Sequence, residues 1–311
     1  MAYDAVEVMK MLIHEVCKGI NLTKKAIEYY TQKGFVAPEV LSNGYRDYKE
    51  EDVEILRKIG MLRKLDLSME DIKEVLKDST DMALERVIAR KELKAKQDAK
   101  KDAILRDLVG GKSYSELEEE LQALEMEEAI GKRLLDAFPG YYGRFVCMHF
   151  SRFLKEPVKT EEQQSAYETI LSFLDQMPLL QVPGDIEKEM SESLKDIGLE
   201  QIEDMLENVK QSIERPEDFL EKNQETIEWY LSYRASGEYQ ASAAGKWMEY
   251  MRVFQNTSGY TEIFLPAMKR LSPSYGEYCL QMEQANKRLL ERYPEIERLS
   301  FSHPEHISKS C

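Results

Sequence analysis

The sequence predicts a mainly α protein with a small β-wing near its N-terminus, a long central helix and an all-α C-terminal domain. Three observations lead to this fold class. Apolar residues recur at helical spacing along most of the 311 residues, without the sustained alternation typical of strands. Two short extended pieces flank a turn at Asn43-Gly44. Residues 82–108 contain neither glycine nor proline, which suits one long uninterrupted helix.

The first elements are predicted to form a helix-turn-helix. Residues 13–18 make a short amphipathic segment, and Asn21 is a turn residue that tolerates left-handed backbone. Thr23 is a suitable N-cap for a second helix over 24–33, and a glycine follows that helix. In such motifs the second helix lies in the major groove of DNA, with its first turn nearest the base edges.

A two-stranded wing and two further helices are predicted next. Phe35-Val36 and Tyr45–Tyr48 would form the strands on either side of a turn that contains proline, asparagine and glycine. An apolar stripe with helical spacing begins at Val53. Ser68–Asp71 has the pattern of a capping box, which would open one more helix that ends near Lys77.

The central stretch 82–108 is rich in alanine and charge and has a thin apolar seam. A single helix cannot bury that seam, so a partner helix is implied. The seam residues are Leu84, Val87, Ile88, Ala95, Ile104, Leu105 and Leu108. Helix candidates in the rest of the chain are 113–136, 141–154, 160–177, 185–196, 199–213, 217–233, 240–255, 259–271 and 275–292.

The charge is distributed unevenly along the chain. The net charge is −15, yet residues 1–80 carry 13 basic against 15 acidic side chains, whereas residues 121–311 carry 21 against 33. A near-neutral N-terminal region can still present a basic face to phosphate, because the local charge determines that contact. No apolar run is long enough to cross a bilayer, and the start lacks a signal-peptide pattern, so we expect a cytoplasmic protein with no membrane partner.

Residues 13–76 resemble the MerR family of transcription regulators. Ile13–Lys18 is similar to the opening helix of that family and Thr23–Tyr30 to its recognition helix. Gly34–Pro38 and Asn43–Tyr48 resemble its wing, and Asp52–Leu76 is similar to the paired helices that follow. Several spaced motifs agree at once over about a fifth of the chain, which makes the resemblance specific.

The resemblance implies a set of DNA contacts. The tyrosine pair and the wing arginine of the family bind sugar-phosphate oxygens, and the start of the recognition helix lies closest to the bases. Carried over by position, the DNA-binding residues are Thr23, Lys24, Lys25, Tyr29, Tyr30, Tyr45 and Arg46. Tyr30 belongs equally well to the core. Glu28 stands where the family usually has arginine, and it would repel phosphate unless it pairs locally with Lys24 or Lys25.

The resemblance also implies the domain organisation and the partners. Residues 1–80 would be the DNA-binding domain and 81–110 an antiparallel coiled-coil dimerisation helix. The sequence pattern, and not the resemblance, predicts that 111–301 form an all-α domain, in which the effector would bind, and that 302–311 form a flexible tail. The expected partners are a palindromic promoter operator in double-stranded DNA, a second copy of the chain, RNA polymerase and a small-molecule effector. Residues 1–8 would be an extension relative to the family.

Sequence motifs for catalysis, for metal binding and for cofactor binding are weak. Val109–Ser113 resembles part of a phosphate-binding loop but lacks its first glycine and its preceding strand. His303 and His306 have no third ligand nearby, and the four cysteines are far apart. No nucleophile motif or pair of catalytic carboxylates is indicated. We therefore expect neither enzymatic activity nor a cofactor, and we expect His149 to be a core histidine.

Aromatic side chains are concentrated in the C-terminal domain. Such stripes usually form a core, but tyrosine and tryptophan also need partners for their polar ends, and interleaved acids would suit an aromatic or cationic drug-like ligand. The predicted ligand-binding residues are Tyr141, Tyr142, Phe145, Trp229, Tyr230, Tyr233, Trp247, Tyr250 and Glu249.

The sequence thus predicts a dimeric regulator that binds DNA, responds to an effector and acts by distorting promoter DNA. A structural chromosome-binding or scaffold protein is the alternative, in which the helical part would hold protein partners. An enzyme with a DNA-binding head is a further alternative, and turnover of a bound ligand would distinguish it.

Overall fold

A computed structural model describes residues 11–78, 82–138, 140–177, 180, 182–194 and 197–299. The predicted extension at 1–8, the tail at 302–311 and the histidine pair within that tail lie outside the described residues. The chain divides into two compact units, and the boundary falls between Val87 and Ile88. The predicted fold class, helical with a small wing near the N-terminus, is confirmed.

The N-terminal unit combines short helices with a three-stranded antiparallel sheet. Its elements are β1 (Met11–Leu12), α1 (Ile13–Ile20), α2 (Lys24–Gln32), β2 (Glu39–Val40), β3 (Arg46–Tyr48), α3 (Glu50–Lys64), α4 (Met69–Lys77) and the start of α5 (Met82–Val109). The strand order is β1-β3-β2, with Met11 opposite Tyr48 and Glu39 opposite Asp47. β3 is therefore held from both sides.

One apolar cluster organises the N-terminal unit. Ile27 of α2, Tyr48 of β3, Leu56 of α3 and Ile72 of α4 are fully buried in it. Burying one apolar side chain of this size stabilises the fold by about 1.5–3 kcal/mol relative to leaving it exposed to water. Because Ile27 is fixed in this core, the opposite face of α2 is directed to solvent.

In its described residues, the regular secondary structure of the C-terminal unit is entirely helical. Its complete elements are α6 (Tyr114–Ala137), α7 (Gly140–Ser151), α8 (Glu161–Gln176), α9 (Gly184–Leu194), α10 (Leu199–Glu214), α11 (Pro216–Lys222), α12 (Gln224–Arg234), α13 (Gly237–Ala241), α14 (Ala243–Thr257), a π-helical turn (Tyr260–Phe264), α15 (Leu265–Leu271), α16 (Pro273–Arg292) and α17 (Ile296–Leu299). None of the helices in the described ranges is long and apolar enough to cross a membrane.

The core of the C-terminal unit is built around aromatic rings. Phe138, at the end of α6, packs edge-on against Tyr142, Phe254 and Tyr260 with ring centroids 5.3–6.1 Å apart. Gly143 of α7 lies close to the Phe138 carbonyl, since a Cβ at this position would be 2.3 Å from that oxygen. The absence of a side chain at residue 143 therefore allows α7 to pack directly after α6.

Within the C-terminal unit, the later part of α5 forms ion pairs with neighbouring helices, in addition to the apolar packing of Ala89 and Leu93 on the core. Lys96 pairs with Glu203 of α10, and Lys100 donates to Glu127 of α6 at 2.5 and 2.8 Å. Glu127 is buried, so the negative charge of its carboxylate must be compensated by the positive charge of that lysine. Further pairs join Arg90 to Asp136, Lys101 to Glu128 and Arg144 to Glu92.

Several predicted boundaries differ from the structure. Phe35 and Val36 do not form a strand; both pack on the N-terminal core, and β2 begins at Glu39. The predicted helix 217–233 is broken at Asn223, whose side-chain amide donates to the Phe219 carbonyl at 2.9 Å. The predicted helix 240–255 is interrupted at Ser242, which accepts a hydrogen bond from the Gly245 amide and caps α14.

Candidate nucleic-acid interface

The start of α2 presents two lysines to solvent. Thr23 caps the helix, because its Oγ1 accepts a hydrogen bond from the Ala26 amide at 3.2 Å. Lys24 and Lys25 follow on the first turn and are both exposed. The cap fixes where the helix begins, and the burial of Ile27 fixes its rotation. Together these two constraints direct the lysines outward, as a recognition helix needs.

Glu28 pairs locally with Lys24. Its carboxylate lies 3.8 Å from Lys24 Nζ, one helical turn away. An exposed pair of this kind stabilises the helix by only about 0.3–0.5 kcal/mol, so Lys24 is readily released to another anion. Lys25 has no such neighbour among the ion pairs of the described residues, so its ammonium group is available to another anion.

The two adjacent tyrosines have different environments. Tyr30 is 8% exposed and its ring packs edge-on against Phe35, so it is mainly a core residue. Tyr29 lies on the solvent side, and Lys33 Nζ sits 5.7 Å from the centre of its ring. Lys33 is absent from the predicted set, although its position four residues after Tyr29 on a helix is a signal for this contact.

The wing turn exposes Tyr45 and orders its backbone. Gly44 has φ of 82°, a conformation that side chains disfavour. Asn43 Oδ1 accepts a hydrogen bond from the Tyr45 amide at 3.0 Å, and the Leu41 amide donates to the Tyr45 carbonyl at 2.8 Å. Tyr45 is 61% exposed, and Arg46 follows it in β3.

The predicted ligand-binding residues do not form one site. Tyr142 and Phe145 of α7 line a cavity of 290 Å³, which we call the α7–α16 cavity, and Trp247 packs against Tyr142 at 5.7 Å. Tyr141 is also on α7, but its hydroxyl donates to the sulfur of Met205. Tyr250 is exposed on α14.

The remaining predicted ligand residues lie elsewhere. Trp229 and Tyr233 stack on each other on α12, with ring centroids 5.6 Å apart, and Trp229 is 65% exposed. Tyr230 shares that helix and accepts a hydrogen bond from Arg234. Glu249 accepts two hydrogen bonds from Arg252, at 2.5 and 2.8 Å, and this pairing lowers the pKa of its carboxyl group. Its charge is therefore already neutralised locally.

A second cavity lies between α5, α6, α7 and α10. Its volume is 470 Å³, and its wall includes the paired Lys96 and Lys100. Cys147 also lines it, and burial raises the pKa of this thiol to about 12, so it remains protonated at neutral pH. Among the described residues, no group of three or more potential metal ligands is present.

Comparison with known proteins identifies the N-terminal segment. Residues 11–79 match the family model described as MerR HTH family regulatory protein. The chain is 42% identical to the HTH-type transcriptional regulator HmrR of Sinorhizobium medicae over 67 residues. These residues cover 21% of this chain and 46% of that protein. It is 36% identical over 67 residues to the HTH-type transcriptional regulator CueR of Yersinia pestis, covering 21% of this chain and 48% of that protein.

A third relative is heavy metal-dependent transcription regulator 2 of Rhizobium meliloti, 39% identical over 67 residues, which cover 21% of this chain and 46% of that protein. The chain thus spans about half the length of the curated relatives it matches. No solved structure matches it.

Proposed function

We propose that this chain, whose residues 11–79 form a MerR-type helix-turn-helix domain, is a dimeric transcription regulator that binds promoter DNA. The observation that carries the proposal is that one compact unit presents exposed Lys24 and Lys25 on a capped helix together with an ordered wing turn bearing Tyr45 and Arg46. Such an arrangement can place the helix in a major groove while the wing contacts phosphates.

The regulator would act by deforming DNA, without chemical turnover. A palindromic operator between the two elements that RNA polymerase reads would be bent and untwisted by the bound dimer. The C-terminal unit would bind an effector, and the effector would need different affinities for the two DNA-bound states to switch transcription. The relatives that match are transcription regulators, and the proposal likewise includes no enzymatic role.

The direct test is selection of bound fragments from genomic DNA, followed by footprinting with the full-length protein. The proposal expects protected palindromes with a long spacer between polymerase elements. Uniform binding to any duplex, without a protected sequence, would favour a structural chromosome-binding role.

Two single substitutions are expected to separate phosphate contact from base reading. Arg46→Ala should weaken binding to specific and random duplexes alike, by about tenfold, and should reduce the salt dependence of binding. Lys25→Ala should change the preferred sequence instead. Fluorescence anisotropy on both duplexes at several salt concentrations measures this, with Arg46→Lys as the charge-preserving control. Identical behaviour of the two alanine variants would contradict the assigned roles.

The proposed dimer rests on apolar residues that α5 leaves uncovered. Val87 and Ala89 are buried within the chain, whereas Ile88, Leu105 and Val109 are exposed, and Leu105 is 58% accessible. A helix of 28 residues is about 42 Å long, so an antiparallel partner can cover Ile88 of one copy with Leu105 of the other.

We expect the double variant Ile88→Lys/Leu105→Lys to be monomeric at micromolar concentration, because four like charges would then meet at the α5 interface. Analytical ultracentrifugation measures this. Val253→Lys, at an exposed apolar position on α14, is the matched control and should remain dimeric. A dimeric double variant would place the interface elsewhere.

A further inference from the structure

The α7–α16 cavity is lined by six parts of the C-terminal unit. α7 contributes Tyr142 and His149, α10 contributes Leu206 and Val209, and α16 contributes Tyr278, while α14, α15 and the π-helical turn complete the wall. Its 290 Å³ is at the small end of the range for ligand pockets in proteins. A cavity of that size suits one or two fused rings.

The lining is aromatic and carries no formal charge. Seven of its fourteen lining residues have aromatic rings, and none is Asp, Glu, Lys or Arg. The potentially ionised group is His149, whose ring lies 5.0–5.5 Å from the rings of Phe150, Phe153 and Tyr278. Desolvation by these rings lowers the pKa of His149 to about 4, so the imidazole is neutral at physiological pH.

A local departure from α-helical geometry places two polar groups in the wall. The π-helical turn Tyr260–Phe264 follows Gly259, which has φ of 81°. Both Tyr260 and Thr261 are buried, and Thr261 Oγ1 donates to the Gln255 carbonyl at 3.3 Å. Single π-helical turns cost stability and occur often at functional sites. Here the turn adds two hydroxyl groups to a lining that also contains Gln255 and three further tyrosines.

The charges near the cavity oppose a cationic ligand. The guanidinium group of Arg152 lies 5.9 Å from the centre of the Tyr278 ring and donates to the Leu206 carbonyl at 3.0 Å. Glu249, one of the acids that favoured a cation, is paired with Arg252. Glu228 accepts a hydrogen bond from Gln224 on α12 and does not line the cavity.

We propose that the α7–α16 cavity binds an uncharged aromatic molecule of one or two fused rings, held by ring stacking and by one or two hydrogen bonds. This inference refines the effector part of the proposed function. It rests on the proposed function only for the effect that ligand binding would have on transcription. An ion of either sign would lose its hydration without gaining a paired charge from the lining. The aromatic-cation class suggested by the sequence is therefore replaced by a neutral class.

Three naphthalene compounds of similar size test the charge preference. Isothermal titration calorimetry with full-length protein at pH 7 would compare 2-naphthol, 2-naphthoate and 2-naphthylmethylammonium, which are neutral, anionic and cationic. We expect 2-naphthol to bind at least tenfold more tightly than either ion. Equal or tighter binding of an ion, or no binding of 2-naphthol, would overturn the proposal.

The two tryptophans of the chain locate the bound ring. In Trp229→Phe the remaining Trp247 lies beside Tyr142 of the cavity, whereas in Trp247→Phe the remaining Trp229 lies on α12. The proposal requires 2-naphthol to change the fluorescence of the first variant and to leave the second nearly unchanged. The reverse pattern would assign the ligand to α12 and overturn the proposal.

A substitution at the cavity wall provides an independent check. Val209 is partly exposed, so Val209→Phe can fill the cavity from its edge without disturbing the core, and it should weaken 2-naphthol binding at least tenfold. Val253→Phe on α14 is the control and should bind normally. Unchanged affinity in Val209→Phe would count against the cavity. These measurements need no DNA and the footprinting needs no ligand, so failure of one proposal is distinguishable from failure of the other.

Discussion

Replacing Gly143 with alanine is expected to destabilise the C-terminal unit by about 3 kcal/mol or more. The new Cβ would lie 2.3 Å from the Phe138 carbonyl oxygen and 3.2 Å from its carbonyl carbon. Both are backbone atoms, so relief requires α7 to move relative to the end of α6. Because α7 also lines the α7–α16 cavity, 2-naphthol binding should weaken in the same variant.

Urea unfolding followed by tryptophan fluorescence measures the loss for this unit, since both tryptophans lie within it. Gly237→Ala is the matched control, because a Cβ there meets nothing within 4 Å and the residue lies in the first turn of α13. The control should be neutral or slightly stabilising, since alanine favours helix. Equal stability of the two variants would show that α7 can shift without cost.

Acidification is expected to destabilise the C-terminal unit through His149. The unfolded chain takes up a proton near pH 6.5, whereas burial holds the pKa of His149 in the folded protein at about 4. The unfolded state therefore binds more protons between these values, and stability falls as the pH falls through this interval. Between pH 7.5 and 5.0 the loss from this one residue is about 2 kcal/mol.

The variant His149→Phe isolates that contribution. Phenylalanine keeps an aromatic ring among Phe150, Phe153 and Tyr278 but cannot be protonated. We expect its unfolding free energy to fall by about 2 kcal/mol less than that of the unmodified protein over the same pH range. Parallel pH dependences for the two proteins would mean that His149 is accessible to protons in the folded state.

Local signals in the sequence predicted most helices and the turn of the N-terminal unit, but not all of its strands. Thr23 and Ser68 cap the helices that they were predicted to cap, and the Asn43-Gly44 turn connects the two wing strands. These features depend on neighbouring residues. β1 was missed because it is two residues long and is defined by its pairing with β3, a contact that local sequence does not contain.

The distribution of the C-terminal aromatics could not be predicted for the same reason. Trp229 and Trp247 are eighteen residues apart and both follow helical spacing, yet one is largely exposed on α12 and the other packs on Tyr142. Only the path of the chain through α13 and α14 separates them. Conversely, His149 and Tyr278 are distant in sequence and adjacent in space.

The charged attachment of α5 has a mechanical consequence. Interdigitated apolar side chains resist sliding, whereas the flexible stem of a lysine lets its ammonium group follow a moving carboxylate. Lys96 is tied to Glu203 on α10, and Leu206 on that same helix borders both cavities. Because the lysine stem can adjust, a small displacement of α10 can be absorbed at this ion pair, while Ala89 and Leu93 keep α5 packed on the apolar core of the unit.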